Sequence, residues 1–322
     1  MQQSLGDPSV DVILSPAPIH KHSGGIIQDC YSKPENLYNK LCKQLGRSFN
    51  LFHYWGPLSS IKATRWIADA TAAVMQDADL APDLLFTYLP HLDYILQKRG
   101  PASGEKLQKA FRELQVELEK LVVVAAETGY DVLLCSDYAI TDAKRAVFPN
   151  IVLAENNLFR LRKVKGRTYP DLYSSPAIAV CDHQVAHIYL RDKSLLPQVL
   201  EIFEAMPGVD SVLRNGVAEH DNAGDLILIS NPDCWFAYPW WNDRAEAPDY
   251  AGHVDIHNKI GFDPCELFLD SWIPPRTSQK TELVGGSHGR TDSPVFFATN
   301  LQFEEQPETF LEMVAALQKR LI

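Results

Sequence analysis

Polar residues that can act in catalysis or ligand binding are concentrated in residues 84–101, which read LLFTYLPHLDYILQKRGP. An apolar run between Pro82 and Pro90 predicts a buried strand, and His91 and Asp93 follow that run directly. Open α/β sheets bind their ligands at the carboxyl ends of their strands. The sequence therefore predicts that both side chains lie on a loop at a functional edge of a sheet.

Two later segments share a pattern with this one. Residues 133–138 read LLCSDY, residues 285–290 read GGSHGR, and Gly-Pro follows Asp93 by seven and eight positions. With these motifs the chain resembles the nucleotide pyrophosphatase/phosphodiesterase branch of the alkaline phosphatase superfamily. The resemblance covers about residues 35–300. It implies that Asp93, Asp137 and His288 are metal ligands.

The chain departs from the family pattern at two ligand positions. The family has a His four residues after the first Asp and a His after the second, whereas Gln97 and Tyr138 stand here. A neutral amide oxygen is a poor replacement for imidazole on zinc, and tyrosine binds a metal only when its high pKa is overcome. His91 is an alternative ligand if its loop turns both side chains inward. We therefore expect a weakened metal site.

The resemblance implies a reaction and a cofactor. Two divalent ions about 3.5 to 4 Å apart polarise a phosphoryl group and neutralise the leaving oxygen, and Asp and His side chains suit zinc or manganese. We expect a metal-dependent hydrolase of phosphodiester or pyrophosphate bonds with impaired activity, acting on a small phosphate ester. The alternatives are a non-catalytic relative that binds a phosphate ligand or a protein partner, and a hydrolase of sulfate or phosphonate esters.

The catalytic nucleophile of the family has no counterpart in the sequence. That Thr or Ser, with a further metal-binding Asp, precedes the matched segments in the family. In residues 1–80, Ser15 precedes a proline without the expected strand and helix, and Thr64 lies inside a predicted helix. The catalytic residues therefore stay unassigned, and we expect the chain to correspond to the later part of a longer domain.

Further polar and aromatic residues lie between the second and third motifs. Asp255 and His257 could contact a metal or substrate, or satisfy a buried loop. Tyr238 and three tryptophans could stack a nucleobase or fill the core; the tryptophans are Trp235, Trp240 and Trp241. The sequence leaves both pairs of alternatives open.

Composition limits the classes of partner. The 322 residues carry a formal net charge of −11, which argues against a nucleic-acid or anionic-membrane surface, because both require a positive field. No apolar run approaches the roughly 20 residues that span a bilayer, and the amino terminus lacks the pattern of a signal peptide. Six widely spaced cysteines without a Cys-x-x-Cys motif favour reduced thiols. We expect a cytoplasmic protein.

The hydrophobic pattern predicts an α/β fold, a three-layer sandwich around a mostly parallel sheet with a smaller mixed cap subdomain. A helix between two predicted strands, 49–55 and 84–89, indicates a parallel crossover unit. The other predicted strands are 10–14, 131–135, 151–161, 177–180, 225–230, 234–241 and 295–299. The predicted helices are 34–45, 61–78, 104–128, 195–206 and 308–321.

The predicted domain division has two parts. Residues 1–34, rich in Pro, Gly, Ser and His, are expected to be irregular. Residues 35–322 are expected to form the α/β domain, and short mixed elements within 150–270 indicate a cap or insertion over the sheet.

Overall fold

The protein has a mixed α/β fold, seen in a computed structural model that describes residues 5–22, 25–214, 220–254 and 259–321. Seven α-helices lie in these residues: α1 Leu37–Leu45, α2 Ile61–Met75, α3 His91–Arg99, α4 Glu105–Thr128, α5 Pro149–Glu155, α6 Leu196–Glu204 and α7 Phe310–Leu321. None of them combines the length and apolarity that a membrane crossing requires.

Seventeen strands lie in the same described residues. They are β1 Ile13–His20, β2 Ile26–Lys33, β3 Leu133–Cys135, β4 Thr141–Asp142, β5 Arg145–Val147, β6 Leu161–Val164, β7 Arg167–Pro170, β8 Ala177–Asp182, β9 Val185–Leu190, β10 Val209–Arg214, β11 Leu226–Ser230, β12 Cys234–Phe236, β13 Gly261–Phe262, β14 Leu269–Trp272, β15 Pro275–Thr277, β16 Gly286–Ser287 and β17 Phe297–Thr299.

The largest sheet has five strands in the order β10-β11-β9-β8-β13. Its first three pairings are antiparallel, and only the pairing of β8 with β13 is parallel. Apolar side chains of β8, β9 and β11 are buried against Val199 and Phe203 of α6 and form the main core. Within the described residues the other sheets have two strands each, so the mostly parallel sheet that the sequence predicts is not observed.

The predicted strand at 84–89 is wrong, and so is the crossover unit built on it. These residues form no strand, and Phe86 is 78% exposed. Leu85 packs against α2 and α4, but no described strand pairs with this backbone, so an apolar run alone does not make a strand here. The other predicted strand of the unit, 49–55, contains a short 3₁₀ helix, because the Asn50 side chain accepts a hydrogen bond from the Phe52 amide.

Three further predictions of strands or irregular chain are corrected. Most of the segment predicted to be irregular is regular, because β1 and β2 pair over eight residues in an antiparallel hairpin. Residues 151–161 contain the end of α5, which begins at Pro149 and is fixed to β8 by two hydrogen bonds between Asn150 and the Ala179 backbone. Strand β12 pairs with β5 and not with β11, because the turn before Cys234 carries the chain to another sheet.

The predicted helices are confirmed with small changes at their ends. Helix α1 ends at Gly46 and α4 at Gly129, both in the left-handed conformation that glycine adopts at little cost. Helices α2 and α4 pack together. The buried Glu117 carboxylate of α4 forms ion pairs with Arg65 of α2 and with Lys120 of α4. This helical pair supports α3, the helix that carries the first motif.

Close backbone contact fixes α3 against β16. The Gly285 amide donates to the Gln97 carbonyl over 2.9 Å. A Cβ atom at Gly285 would lie 2.5 Å from the Arg99 carbonyl carbon, a distance that real Cβ atoms do not adopt. The glycines of GGSHGR therefore allow the third motif to approach the first.

We expect Gly285→Ala to destabilise the protein by about 1 to 3 kcal/mol, because the new methyl group must displace backbone atoms. The measurement is the free energy of unfolding in urea. Gly6→Ala is the matched control, since a Cβ there meets nothing within 4 Å. Equal stability of the two variants would contradict the packing described above.

Candidate functional site

Two of the three predicted ligands are brought together by a tyrosine. Asp93 lies in the first turn of α3, and the Tyr138 hydroxyl, three residues after β3, donates to Asp93 Oδ1 over 3.0 Å. The Tyr138 ring stacks on the His288 ring with centroids 3.8 Å apart and planes 13° apart. Asp93 and His288 therefore belong to one site, and Tyr138 lies between them.

Asp93 lies in the first turn of α3 and not on a loop, as the sequence suggested, and this position brings Gln97 beside it. One helical turn later, Gln97 Nε2 donates to Asp93 Oδ1 over 2.7 Å. Burial raises the pKa of Asp93 to about 6, although the hydrogen bonds from Gln97 and Tyr138 act in the opposite direction. The Asp93 carboxyl is thus largely removed from solvent and held by two donors.

Tyr138 remains a hydroxyl donor at neutral pH. Burial raises its pKa above the ordinary value, and the neighbouring charge of Asp93 raises it further. Its hydroxyl also lies 3.1 Å from that of Tyr88. Because deprotonation is disfavoured, Tyr138 is suited to donate a hydrogen bond.

His288 is held between two rings. Its second neighbour is His183, with ring centroids 3.9 Å apart. Burial lowers the pKa of His288 to about 4, and burial also lowers the pKa of His183 well below its ordinary value. Both imidazoles are therefore neutral at pH 7, which permits two rings of the same type to stack without charge repulsion.

The turn between β8 and β9 positions His183. This residue has a φ of 58°, an uncommon conformation for a residue with a side chain. Its carbonyl accepts from the Phe236 amide over 2.6 Å, and the Gln184 amide donates to the His288 carbonyl over 2.7 Å. Backbone hydrogen bonds thus join the central sheet to the loop that carries His288.

The remaining predicted residues are placed differently. Asp137 is exposed, and its charge is a smaller cause of the raised pKa of Asp93. His91 lies in the same helical turn as Asp93, but its Nε2 lies 3.1 Å from Glu113 Oε2 of α4. The structure therefore does not bring His91 to Asp93. The predictions for Asp255 and His257 lie outside the described residues.

We tested whether the residues present fit the divalent metal implied by the resemblance. In the described part of the chain, no group of three His, Cys, Asp or Glu side chains could hold a metal ion. Gln97 directs its Nε2 at Asp93, so its carbonyl oxygen points away from that carboxylate. Tyr138 directs its hydroxyl hydrogen at the same carboxylate. The side chains that replace the two histidines are thus donors to the carboxylate. The side chains around Asp93 therefore do not provide the ligands that this metal needs.

Sequence reasoning missed two members of the site. Tyr88 lies in the same motif as Asp93, two residues before Pro90, and its hydroxyl position was not considered. His183 carries no motif in the sequence, yet its ring centroid lies 3.9 Å from that of His288. Its place between two strands of alternating pattern is a turn signal that could have marked it.

The aromatic residues near position 240 belong to the core. Four of them are buried and meet one another edge to face or pack with core side chains; they are Trp235, Tyr238, Trp240 and Trp241. The Trp240 indole N–H donates to the Thr168 carbonyl over 3.0 Å. With their faces covered, these rings favour the core interpretation over stacking on a nucleobase.

Comparison with known proteins identifies a family. The sequence model of the type I phosphodiesterase/nucleotide pyrophosphatase family matches residues 11–263. No curated protein matches the chain in sequence.

Two solved structures are similar to part of the chain. One is phosphonoacetate hydrolase from Sinorhizobium meliloti 1021 in complex with phosphonoformate, which is 16% identical in sequence and gives a TM-score of 0.49. The match covers 84% of this chain and 56% of the hydrolase chain. The inactive murine ectonucleotide pyrophosphatase/phosphodiesterase 5, in complex with AMP, is 11% identical with a TM-score of 0.40 over 69% and 51%. The chain thus spans about half the length of these structures.

We expect Asp93→Asn to stabilise the protein at neutral pH. The folded-state pKa of Asp93 is about 6, above its ordinary value of 3.8, so ionisation destabilises the fold as the pH rises through that interval. The amide keeps an acceptor oxygen for Gln97 and Tyr138. The gain in unfolding free energy should be near zero at about pH 4 and about 1 to 3 kcal/mol at about pH 7.5.

Urea unfolding at both pH values measures this effect. The control is Asp137→Asn, which removes an exposed carboxylate of the same segment and should change stability by less than about 0.5 kcal/mol. A loss of stability in Asp93→Asn at neutral pH would show that the hydrogen bonds from Gln97 and Tyr138 stabilise the ionised carboxylate by more than its burial costs, contrary to its raised pKa.

Proposed function

Because the chain belongs to the type I phosphodiesterase/nucleotide pyrophosphatase family, we propose that it binds a phosphodiester or pyrophosphate compound without metal-dependent hydrolysis. One observation supports the absence of hydrolysis. Asp93 Oδ1 accepts hydrogen bonds from Gln97 and Tyr138, the residues at the two positions where the family pattern has histidines. The carboxylate is thereby satisfied by neutral donors.

The charges of the site favour one form of phosphate. Asp137 is an exposed acidic residue, Asp93 is ionised above about pH 6, and the buried His183 and His288 are neutral. A phosphomonoester carries close to two negative charges at pH 7, whereas a phosphodiester carries one. Repulsion from the two carboxylates therefore disfavours the monoester more strongly. We propose a phosphodiester as the preferred ligand.

The residues of the site would hold and orient this ligand. Tyr138 donates its one hydroxyl proton to Asp93, so the neighbouring Tyr88 hydroxyl is the one that can donate to a phosphate oxygen. The neutral His288 edge provides a ring nitrogen, since its faces are covered by Tyr138 and His183. Such contacts bind a substrate-like molecule, but they supply no nucleophile.

Metal-dependent hydrolysis, with zinc or manganese, is the second candidate. The family match over residues 11–263 favours it, as does the placement of Asp93 and His288 in one site. The two candidates differ in turnover and in their response to a chelator. A direct assay can therefore separate them.

The test uses the purified full chain with a chromogenic phosphodiester. We expect calorimetry to detect binding of a non-hydrolysable diester analogue, and we expect no release of chromophore with added zinc, manganese or chelator. Metal-dependent release that the chelator abolishes would overturn the proposal in favour of hydrolysis. Failure to bind the diester would overturn the ligand assignment.

Restoring the two histidines should create zinc affinity. In the double variant Gln97→His/Tyr138→His, two imidazoles replace the two donors of Asp93, and imidazole is a preferred zinc ligand. We expect zinc to bind at least about ten-fold more tightly than to the unchanged protein, measured by equilibrium dialysis.

The control for this variant is Gln108→His, which adds an imidazole at an exposed position of α4. It should leave zinc affinity unchanged. Equal zinc affinity in the unchanged protein and the double variant would mean that Gln97 and Tyr138 do not determine whether the site takes a metal.

A further inference from the structure

A second buried polar group surrounds the short 3₁₀ helix Pro264–Leu267, which begins after Asp263. The side chains of Lys259 and Glu266 are each 2% exposed and form an ion pair. The second oxygen of the Glu266 carboxylate accepts from the Trp55 indole N–H over 3.0 Å. Since a buried charge requires a partner, Lys259 and Glu266 neutralise each other.

Asp263 adds a carboxylate that this ion pair does not balance. The residue is 2% exposed, and its Oδ1 accepts from the Cys265 amide over 3.1 Å. In the described part of the chain, its Oδ2 has no hydrogen-bond donor. The group of Lys259, Asp263 and Glu266 thus carries one excess negative charge in a buried place.

A cavity adjoins this carboxylate. Its volume is about 10 Å³, and Tyr238 and Trp241 line it together with Asp263. Gln279 lines the same cavity, and its buried Oε1 also lacks a donor among the described residues. Two residues, each with a buried acceptor oxygen that lacks a donor among the described residues, therefore line a narrow space with room for about one particle the size of a water molecule.

We propose that this cavity binds a monovalent cation of the size of potassium or ammonium, held by Asp263 Oδ2 and Gln279 Oε1. The cation balances the one excess negative charge and satisfies both acceptors. This proposed cation site goes beyond the proposed function, because none of the site's residues forms a hydrogen bond with Asp93, Tyr138 or His288.

Other occupants fit the chemistry less well. A water molecule would satisfy both acceptors but would leave the buried charge unbalanced, which is costly. Magnesium retains several of its waters and requires an octahedral set of oxygens, for which the cavity is too small. Protonation of Asp263 competes with the cation, since burial raises its pKa to about 6. At pH 8 the Asp263 carboxylate is ionised, so the proton no longer competes and the cation is the partner that balances the charge.

The test is thermal unfolding of the full chain at pH 8 in potassium, ammonium or tetramethylammonium chloride at equal ionic strength. Tetramethylammonium is too large for the cavity and controls for screening. We expect the Tm to rise by about 2 °C or more in potassium or ammonium. Equal Tm values in the three salts would overturn the proposal.

Two variants locate the effect. We expect Asp263→Asn to abolish the difference between the salts, and Gln279→Met, which keeps the volume but removes the acceptor, to reduce it. Asp270→Asn is the matched control, because its exposed carboxylate pairs with Lys280 at the surface and its loss should leave the difference intact. A salt difference that survives in Asp263→Asn would overturn the proposal.

A crystal grown in thallium(I) provides the direct measurement if either variant fails to fold. We expect an anomalous peak within contact of Asp263 Oδ2 and Gln279 Oε1. Water density without an anomalous signal at that position would overturn the assignment.

Discussion

The hydrogen bonds that Asp93 accepts from Gln97 and Tyr138 are the interaction on which the site depends. A buried carboxylate needs donors or a cation, and here two neutral side chains provide the donors. Tyr138 in turn covers one face of His288, while His183 covers the other. One carboxylate therefore organises four side chains from four separate parts of the chain.

The scaffold makes this arrangement possible through close backbone contacts. Gly285 lets the loop of His288 approach the end of α3, and the turn at His183 connects that loop to the central sheet. These contacts lie between elements that are distant in sequence. The site is thus assembled by tertiary packing and not by any one motif.

The sequence predicted the long helices better than the sheet. Long amphipathic stretches such as α4 carry their own pattern and glycine ends, so local information was sufficient. The run at 84–89 was apolar but had no strand to pair with, and pairing partners cannot be read from a single segment. Asp93 and His288 were found through motif resemblance, whereas His183 was not, because its ring contact depends on the turn conformation.

The central claim is that Gln97 and Tyr138, and not a metal, satisfy Asp93. A high-resolution crystal structure of the full chain grown with excess zinc tests it most directly. We expect Gln97 Nε2 and Tyr138 Oη to remain within hydrogen-bond distance of Asp93 Oδ1, with no anomalous zinc peak at the carboxylate. A zinc ion about 2.0 to 2.2 Å from Asp93, shared with Asp137 or His288, would contradict it.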